Sequence, residues 1–128
     1  MIYIVDTYTW IENFRGTSQG LILEKLLQNK NNKFVTMECS IAELLSYCLR
    51  EGYDFNKLYN IVKINSIILP ILRNHWLNAA KIKSKYRRIK KHFGLLDAIL
   101  IAKQQELKCK IISGDTHFKN LKNVVYVG

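Results

Sequence analysis

At 128 residues, nearly half of them apolar, and with twenty Lys and Arg against ten Asp and Glu, the chain is long enough for one domain with a real core and too apolar to be disordered. No apolar run reaches the length of a bilayer span, and the uncharged opening Met1–Val5 is too short for a signal peptide, so a cytoplasmic protein with no membrane partner is expected. Cys39, Cys48 and Cys109 are odd in number and widely spaced, which argues against a disulfide framework or a zinc pattern and for buried thiols in a reducing compartment.

The chain opens with a short buried strand, Ile2–Val5, and then a helix through Trp10, Ile11 and Phe14 that stops at Gly16. Thr17 or Ser18 caps a second helix with the apolar stripe Leu21, Ile22, Leu26 and Leu27. Lys33–Thr36 reads as the second strand. A helix from about Glu38 to Arg50 ends at Gly52, with Thr36 preferred to Ser40 as its cap, and Asp54 caps the next helix, through Leu58, Ile61 and Val62. Ile67–Leu69 is a third strand, stopped by Pro70. A long helical region runs from about Leu72 to His92 on the stripe Ile82, Tyr86, Ile89 and Phe93, and Gly94 breaks it. Leu95–Leu107 is a strongly apolar helix, Lys110–Ser113 a fourth strand and Val124–Val127 a fifth. This alternation predicts one α/β domain over residues 1–128, an α/β/α sandwich around a mostly parallel, about five-stranded sheet.

Four of the scarce acids stand in apolar surroundings. Asp6 follows the first strand, Glu43 sits in Ile-Ala-Glu-Leu-Leu, Asp97 in Leu-Leu-Asp-Ala-Ile-Leu-Ile, and Asp115 just past Ile-Ile-Ser-Gly. Parallel strands end on one sheet edge, and crossover helices begin on that edge, so the topology brings all four together there. Taken singly, Asp6 and Asp115 read more readily as helix caps; Glu43 has the spacing to complete a capping box with Ser40, but with Thr36 as the preferred cap it lies well inside the helix with no capping duty. Asp97 is the hardest to explain as a cap, because its helix has already begun at Gly94 or Leu95. Taken together, like charges about 4 Å apart repel by roughly 4 kcal/mol at an effective dielectric of 20, and a divalent cation would relieve this. Oxygen-only donors select a hard ion, Mg²⁺ or Mn²⁺, which binds phosphate.

The basic residues are just as uneven. No acid lies between Asp54 and Asp97, whereas that stretch carries ten of the twenty basic residues, and seven of them fall at Lys81, Lys83, Lys85, Arg87, Arg88, Lys90 and Lys91. Ordinary exposed helices mix the two signs to gain i,i+4 pairs. An acid-free basic helix points to a polyanion, with RNA the first candidate. His75, His92 and His117 do not cluster in sequence, so none is assigned to a metal; His117, two after Asp115, is placed to approach the site but reads more readily as a surface residue. Trp10, Trp76 and Tyr86 read as core or interface residues.

Ile-Val-Asp6-Thr7, Ser-Ile-Ala-Glu43-Leu-Leu, Leu-Leu-Asp97-Ala-Ile-Leu-Ile-Ala and Ile-Ile-Ser-Gly-Asp115-Thr-His-Phe resemble, in order and spacing, the four blocks of PIN-domain ribonucleases, and the length matches the VapC-type toxins of toxin–antitoxin pairs. The resemblance covers essentially the whole chain. It implies a metal-dependent endoribonuclease in which Asp6, Glu43, Asp97 and Asp115 bind Mg²⁺ or Mn²⁺, Thr7 and Ser113 support the site through their hydroxyls, and Phe118 packs the short helix behind the last acid. It further implies in-line hydrolysis leaving a 5′-phosphate and a 3′-hydroxyl. The implied partners are an RNA substrate, a protein antitoxin with an Arg among the carboxylates, and a second copy of the chain, with a dimer patch placed around Ile11, Phe14, Leu21 or Tyr47. The chain departs from the family pattern at Tyr8, where many members carry a hydroxyl residue two after the first Asp, and at Gly114, where the residue is often larger. A PIN nuclease of RNA maturation and a catalytically silent RNA-binding PIN domain are the alternatives. The silent reading is weakened because all four acids are present. Phosphotransfer on Asp6 would want a second acid where Thr7 and Tyr8 stand.

Overall fold

A computed structural model describes residues 1–128. Its elements are β1 (Ile2–Val5), α1 (Thr7–Arg15), α2 (Ser18–Leu27), β2 (Lys33–Met37), α3 (Glu38–Glu51), α4 (Phe55–Asn65), β3 (Ile67–Leu69), α5 (Arg73–Tyr86), α6 (Leu95–Leu107), β4 (Lys110–Ser113), a single 3-10 turn (Thr116–Phe118) and β5 (Val124–Tyr126). The strands form one parallel sheet in the order β3-β2-β1-β4-β5, with Ile4 of β1 between Val35 of β2 and Ile111 of β4. The expected α/β/α sandwich is therefore the architecture found.

Strand alternation divides the core between the two faces. Tyr3, Val5, Phe34 and Ile112 pack with Trp10, Leu23, Leu44, Leu58 and Val62, so α1–α4 cover one face. Ile4, Val35, Met37 and Ile111 pack with Ala79, Ala98, Ile99 and Ile101, so α5 and α6 cover the other. No helix is long and apolar enough to cross a membrane.

The predicted punctuation recurs. Gly16 and Gly52 end α1 and α3 at φ of 70° and 76°. Thr17 accepts from the Gly20 amide, and Asp54 accepts from Asn56 and Lys57. Gly20 is also a close approach, since a Cβ there would lie 2.1 Å from the Glu12 carbonyl oxygen and hold α1 and α2 apart. Glu12 is a buried acid that the sequence did not single out. It is occupied structurally, bonded by Thr17 Oγ1 at 2.6 Å and paired with Arg15 at 3.1 Å.

Two expectations need correction. Thr36 does not cap α3. Its buried hydroxyl accepts from Trp10 Nε1 at 3.0 Å and lies 2.8 Å from Ser66 Oγ, which carries β2 on to Met37, and Met37 takes the N-cap position without a side-chain bond. The helix predicted to reach His92 stops at Tyr86. Phe93 is fully buried against Tyr86 and Phe118, and the chain turns back to place it there, held by a bond from Arg87 Nε to the Phe93 carbonyl at 2.8 Å. Ile89 thereby leaves the apolar stripe and is 85% exposed. Of the residues offered as a dimer patch, Ile11 is buried, Phe14 and Tyr47 are half-buried with Phe14 edge-on to Tyr53 and Tyr47 stacked on it, and Leu21 is exposed.

Candidate active site

In the order β3-β2-β1-β4-β5 the chain winds outward from β1 in one direction and returns to place β4 on its other side. The crevice beyond the carboxyl ends of β1 and β4 is the topological switch point, where open α/β sheets bind their ligands. Asp6 follows β1 and Asp115 follows β4, so the two acids flank that crevice.

Asp6 is both the N-cap of α1 and the most buried of the four acids. One oxygen accepts from the Thr7 amide at 2.8 Å and the other from Ser113 Oγ at 2.7 Å. Burial pushes its carboxyl up from 3.8 to about 7, and the charges of Glu43 and Asp115 add to this, while the bonds from Ser113 and Thr7 oppose it. Ser113 Oγ also accepts from the Asp115 amide at 3.0 Å, so one buried hydroxyl ties the first acid to the last. Ser113→Ala should leave an Asp6 oxygen without its donor, lowering stability by about 1–3 kcal/mol and divalent-ion affinity by about 10–100-fold, as read by melting and by Mn²⁺ titration calorimetry.

Glu43 lies well inside α3, which begins at Glu38, so it has no capping duty. Thr7 Oγ1 lies 3.1 Å from Glu43 Oε1 and 3.2 Å from the Ser40 carbonyl oxygen, linking α1 to the acidic face of α3. Its carboxyl is raised, first by burial of the carboxylate end and then by Asp97 and Asp115, with Thr7 opposing. The neighbouring Cys39 thiol is pushed up to about 12 by burial and by the charges of Glu43 and Asp6, which leaves it protonated and unreactive at neutral pH.

Asp97 does perform the capping role that seemed least natural for it. From the third position of α6 its Oδ2 accepts from the Gly94 amide at 2.9 Å. The same oxygen lies 2.8 Å from His117 Nδ1, and because a carboxylate only accepts, Nδ1 is the donor. Asp115 caps the 3-10 turn through the His117 amide at 2.9 Å, and its Oδ1 is 3.6 Å from the imidazole. His117 is thus a site residue, not the surface residue expected. The signal for it was its place two after Asp115, in a turn that Asp115 itself caps. Ligand atoms of Asp97, Asp115 and His117 lie within 4.8 Å of one another.

The two departures from the family pattern explain each other. A Cβ on Gly114 would lie 2.1 Å from Tyr8 Cε1, so the Tyr8 ring occupies the space that a larger residue 114 would fill.

The seven clustered basic residues are divided by the end of α5. Lys81 lines a cleft with His75 and Glu106, and Arg87 is committed to the Phe93 carbonyl. Lys90 Nζ donates to the Thr116 carbonyl at 3.3 Å, which sets the basic turn directly beside Asp115.

No Lys or Arg forms an ion pair with any of the four acids; their one cationic candidate is His117. Two carboxyls raised by burial and mutual repulsion, with a donor set of oxygens and a single imidazole, suit a hard or borderline divalent cation.

The PIN domain family model matches residues 3–124. No curated protein matches the sequence significantly. Among solved structures, the chain is similar to one in a toxin–antitoxin complex from Klebsiella pneumoniae, at 17% identity and a TM-score of 0.74 with 98% of each chain covered. It is also similar to one in VapBC2 from Rickettsia felis bound to a promoter DNA fragment, at 15% identity and 0.74, covering 98% of this chain and 97% of that one. A third likeness is to VapC20 of Mycobacterium tuberculosis, described as a sarcin–ricin loop cleaving toxin, at 15% and 0.65 with 83% of each chain covered. At these identities the likeness is one of fold.

Proposed function

Because this chain belongs to the PIN domain family, we propose that it is a Mg²⁺- or Mn²⁺-dependent endoribonuclease of one nuclease domain, acting in the cytoplasm as the toxin of a toxin–antitoxin pair. The observation that supports the reading is an acidic cluster with no Lys or Arg paired to it: ligand atoms of Asp97, Asp115 and His117 lie within 4.8 Å of one another, Asp6 feels the charges of Glu43 and Asp115, and Glu43 those of Asp97 and Asp115. The toxin assignment draws on two of the fold neighbours, one described as a toxin–antitoxin complex and one as a sarcin–ricin loop cleaving toxin.

In this reading Asp6, Glu43, Asp97 and Asp115 hold the cation, with His117 beside them. A divalent ion bound there supplies a lowered pKa for attacking water and neutralises charge developing on the phosphodiester. The chain's own groups prepare the acids for that task. Ser113 and the Thr7 amide favour the ionised form of Asp6, Thr7 Oγ1 orients Glu43, and Gly94 and His117 fix Asp97. Lys85 near the end of α5 and Arg88, Lys90 and Lys91 in the turn after it hold the RNA backbone beside Asp115, and Lys81, Lys83 and Arg87 extend or brace that surface. An antitoxin would silence the site by placing an Arg among the carboxylates. A homodimer would use the open apolar face of α2, where Leu21 and Ile22 are exposed.

The test is incubation with total RNA and Mg²⁺ or Mn²⁺. The wild type should cut and Asp97→Asn should not, and RNA affinity should fall steeply with salt as phosphate contacts are lost. Equal cutting by both proteins would reject the site. RNA binding without cutting under any metal would favour a silent binding domain.

A further inference from the structure

Two clefts at the opposite end of the sheet, around Lys110 and around Lys33, are far from the acids, and the cleft at His75 is occupied by a capping interaction in which Nδ1 accepts from the Leu72 amide. A cavity of about 210 Å³ differs from these. It is walled by Tyr86, Ile89 and Leu121 and flanked by Lys85 and Lys90.

We propose that this cavity is a subsite for one unstacked base of single-stranded RNA, with Lys85 and Lys90 serving the phosphates on either side of that base. The proposal rests on the nuclease reading above and adds to it a place where the enzyme reads its substrate. Its position is the first argument. Lys90, one of the lining residues, donates to the carbonyl of Thr116, the residue after Asp115. On the other side Tyr86 packs on Phe93 with centroids 5.0 Å apart, Phe93 lies 6.5 Å from His117, and His117 bonds Asp97. Both chains of contact run from the cavity to the Thr116–Phe118 turn that follows Asp115, which ties the cavity to the rim of the acidic crevice.

Its chemistry is the second argument. Ile89 is 85% exposed, between Arg88 and Lys90, on a turn that exists because Phe93 is pulled into the core. An open aliphatic wall between cations, beside an aromatic ring, is complementary to a flat apolar ring carried on an anionic backbone. Single-stranded RNA is recognised in that way, by stacking bases on aromatic and apolar side chains while basic groups follow the phosphates. The second wall, Leu121, is set by the loop that follows the Asp115 turn, where its amide bonds the Phe118 carbonyl at 3.2 Å.

The experiment uses full-length Asp6→Asn protein, which should bind without cutting, and labelled oligoribonucleotides spanning a site that the wild type cuts. Each base in turn is replaced by an abasic nucleotide. One position near the scissile phosphate should weaken binding about tenfold. Adding Ile89→Ser, an exposed change that leaves the core intact, should shrink that position's penalty and no other; adding Leu121→Ser as well should remove it. A flat abasic scan, or a penalty unchanged in both variants, would overturn the subsite while the nuclease reading stands, and would hand the cavity to a protein partner. If the wild type cuts no RNA and Asp6→Asn binds none, the nuclease reading falls and takes the subsite with it.

Discussion

Asp6→Asn should abolish RNA cleavage, by about a thousandfold or more, and at the same time make the metal-free protein more stable at pH 8. The first effect follows from removing a carboxylate at the centre of the acidic crevice, where several kcal/mol of transition-state charge stabilisation is at stake. The second follows from its burial. A carboxyl displaced from 3.8 to about 7 is ionised at pH 8 only against the cost of its surroundings, and that displacement sets an upper bound of about 4 kcal/mol. Asparagine keeps the geometry. Its carbonyl can accept from the Thr7 amide, and its NH₂ can donate to Ser113 Oγ, which has a lone pair to accept it. Cleavage assays beside calorimetric melting in chelator at pH 8 read both effects. Retained cutting would remove Asp6 from the site. Lost cutting with lower stability would mean that the carboxylate is a structural cap with no strain to release.

This pairing separates function from ordinary packing because the two assignments of Asp6 overlap. From sequence alone Asp6 and Asp115 read as caps, and both are caps. What the sequence could not express is that each carboxylate has two oxygens, and that capping occupies only one of them. The other oxygen of Asp6 is turned to Ser113, a residue 107 positions away. Glu43 was legible because its neighbours are apolar and its helix has started well before it. His117 was missed because its link to Asp97 crosses from one element to another, and a lone His two after an Asp carries no periodicity. The end of α5 was missed for a related reason. Nothing local stops a helix before Gly94, and the burial of Phe93 against Phe118, a tertiary event, decides it. The basic run was conspicuous in sequence, but that it divides into a brace at Arg87 and a contact beside Asp115 depends wholly on that turn.

In chelator, the melting temperature of the wild type should fall relative to Asp6→Asn as pH rises from about 4 to about 7, and Mg²⁺ or Mn²⁺ should restore it more at pH 8 than at pH 5. The sign follows from proton counting. Between 3.8 and about 7 the native state keeps a proton on Asp6 that the unfolded chain has released. Stability from this group is therefore full below the unfolded value and is lost as pH rises through the folded one. Glu43 is also raised, by burial and by Asp97 and Asp115, and is present in both proteins. Groups common to both proteins cancel in the difference. A cation binds the ionised acids, so near pH 7 it displaces protons, and calorimetry in two buffers of different ionisation enthalpy should detect their release there and little above pH 8. With the ion at a hundred times its dissociation constant the stabilisation should be about 2.7 kcal/mol, a shift of roughly 10 °C for a chain of this size. A wild type that tracks Asp6→Asn across the whole pH range would show that Asp6 is not held under strain. A strained Asp6 that no divalent ion relieves would leave the acidic crevice without the counter-charge on which the nuclease proposal depends.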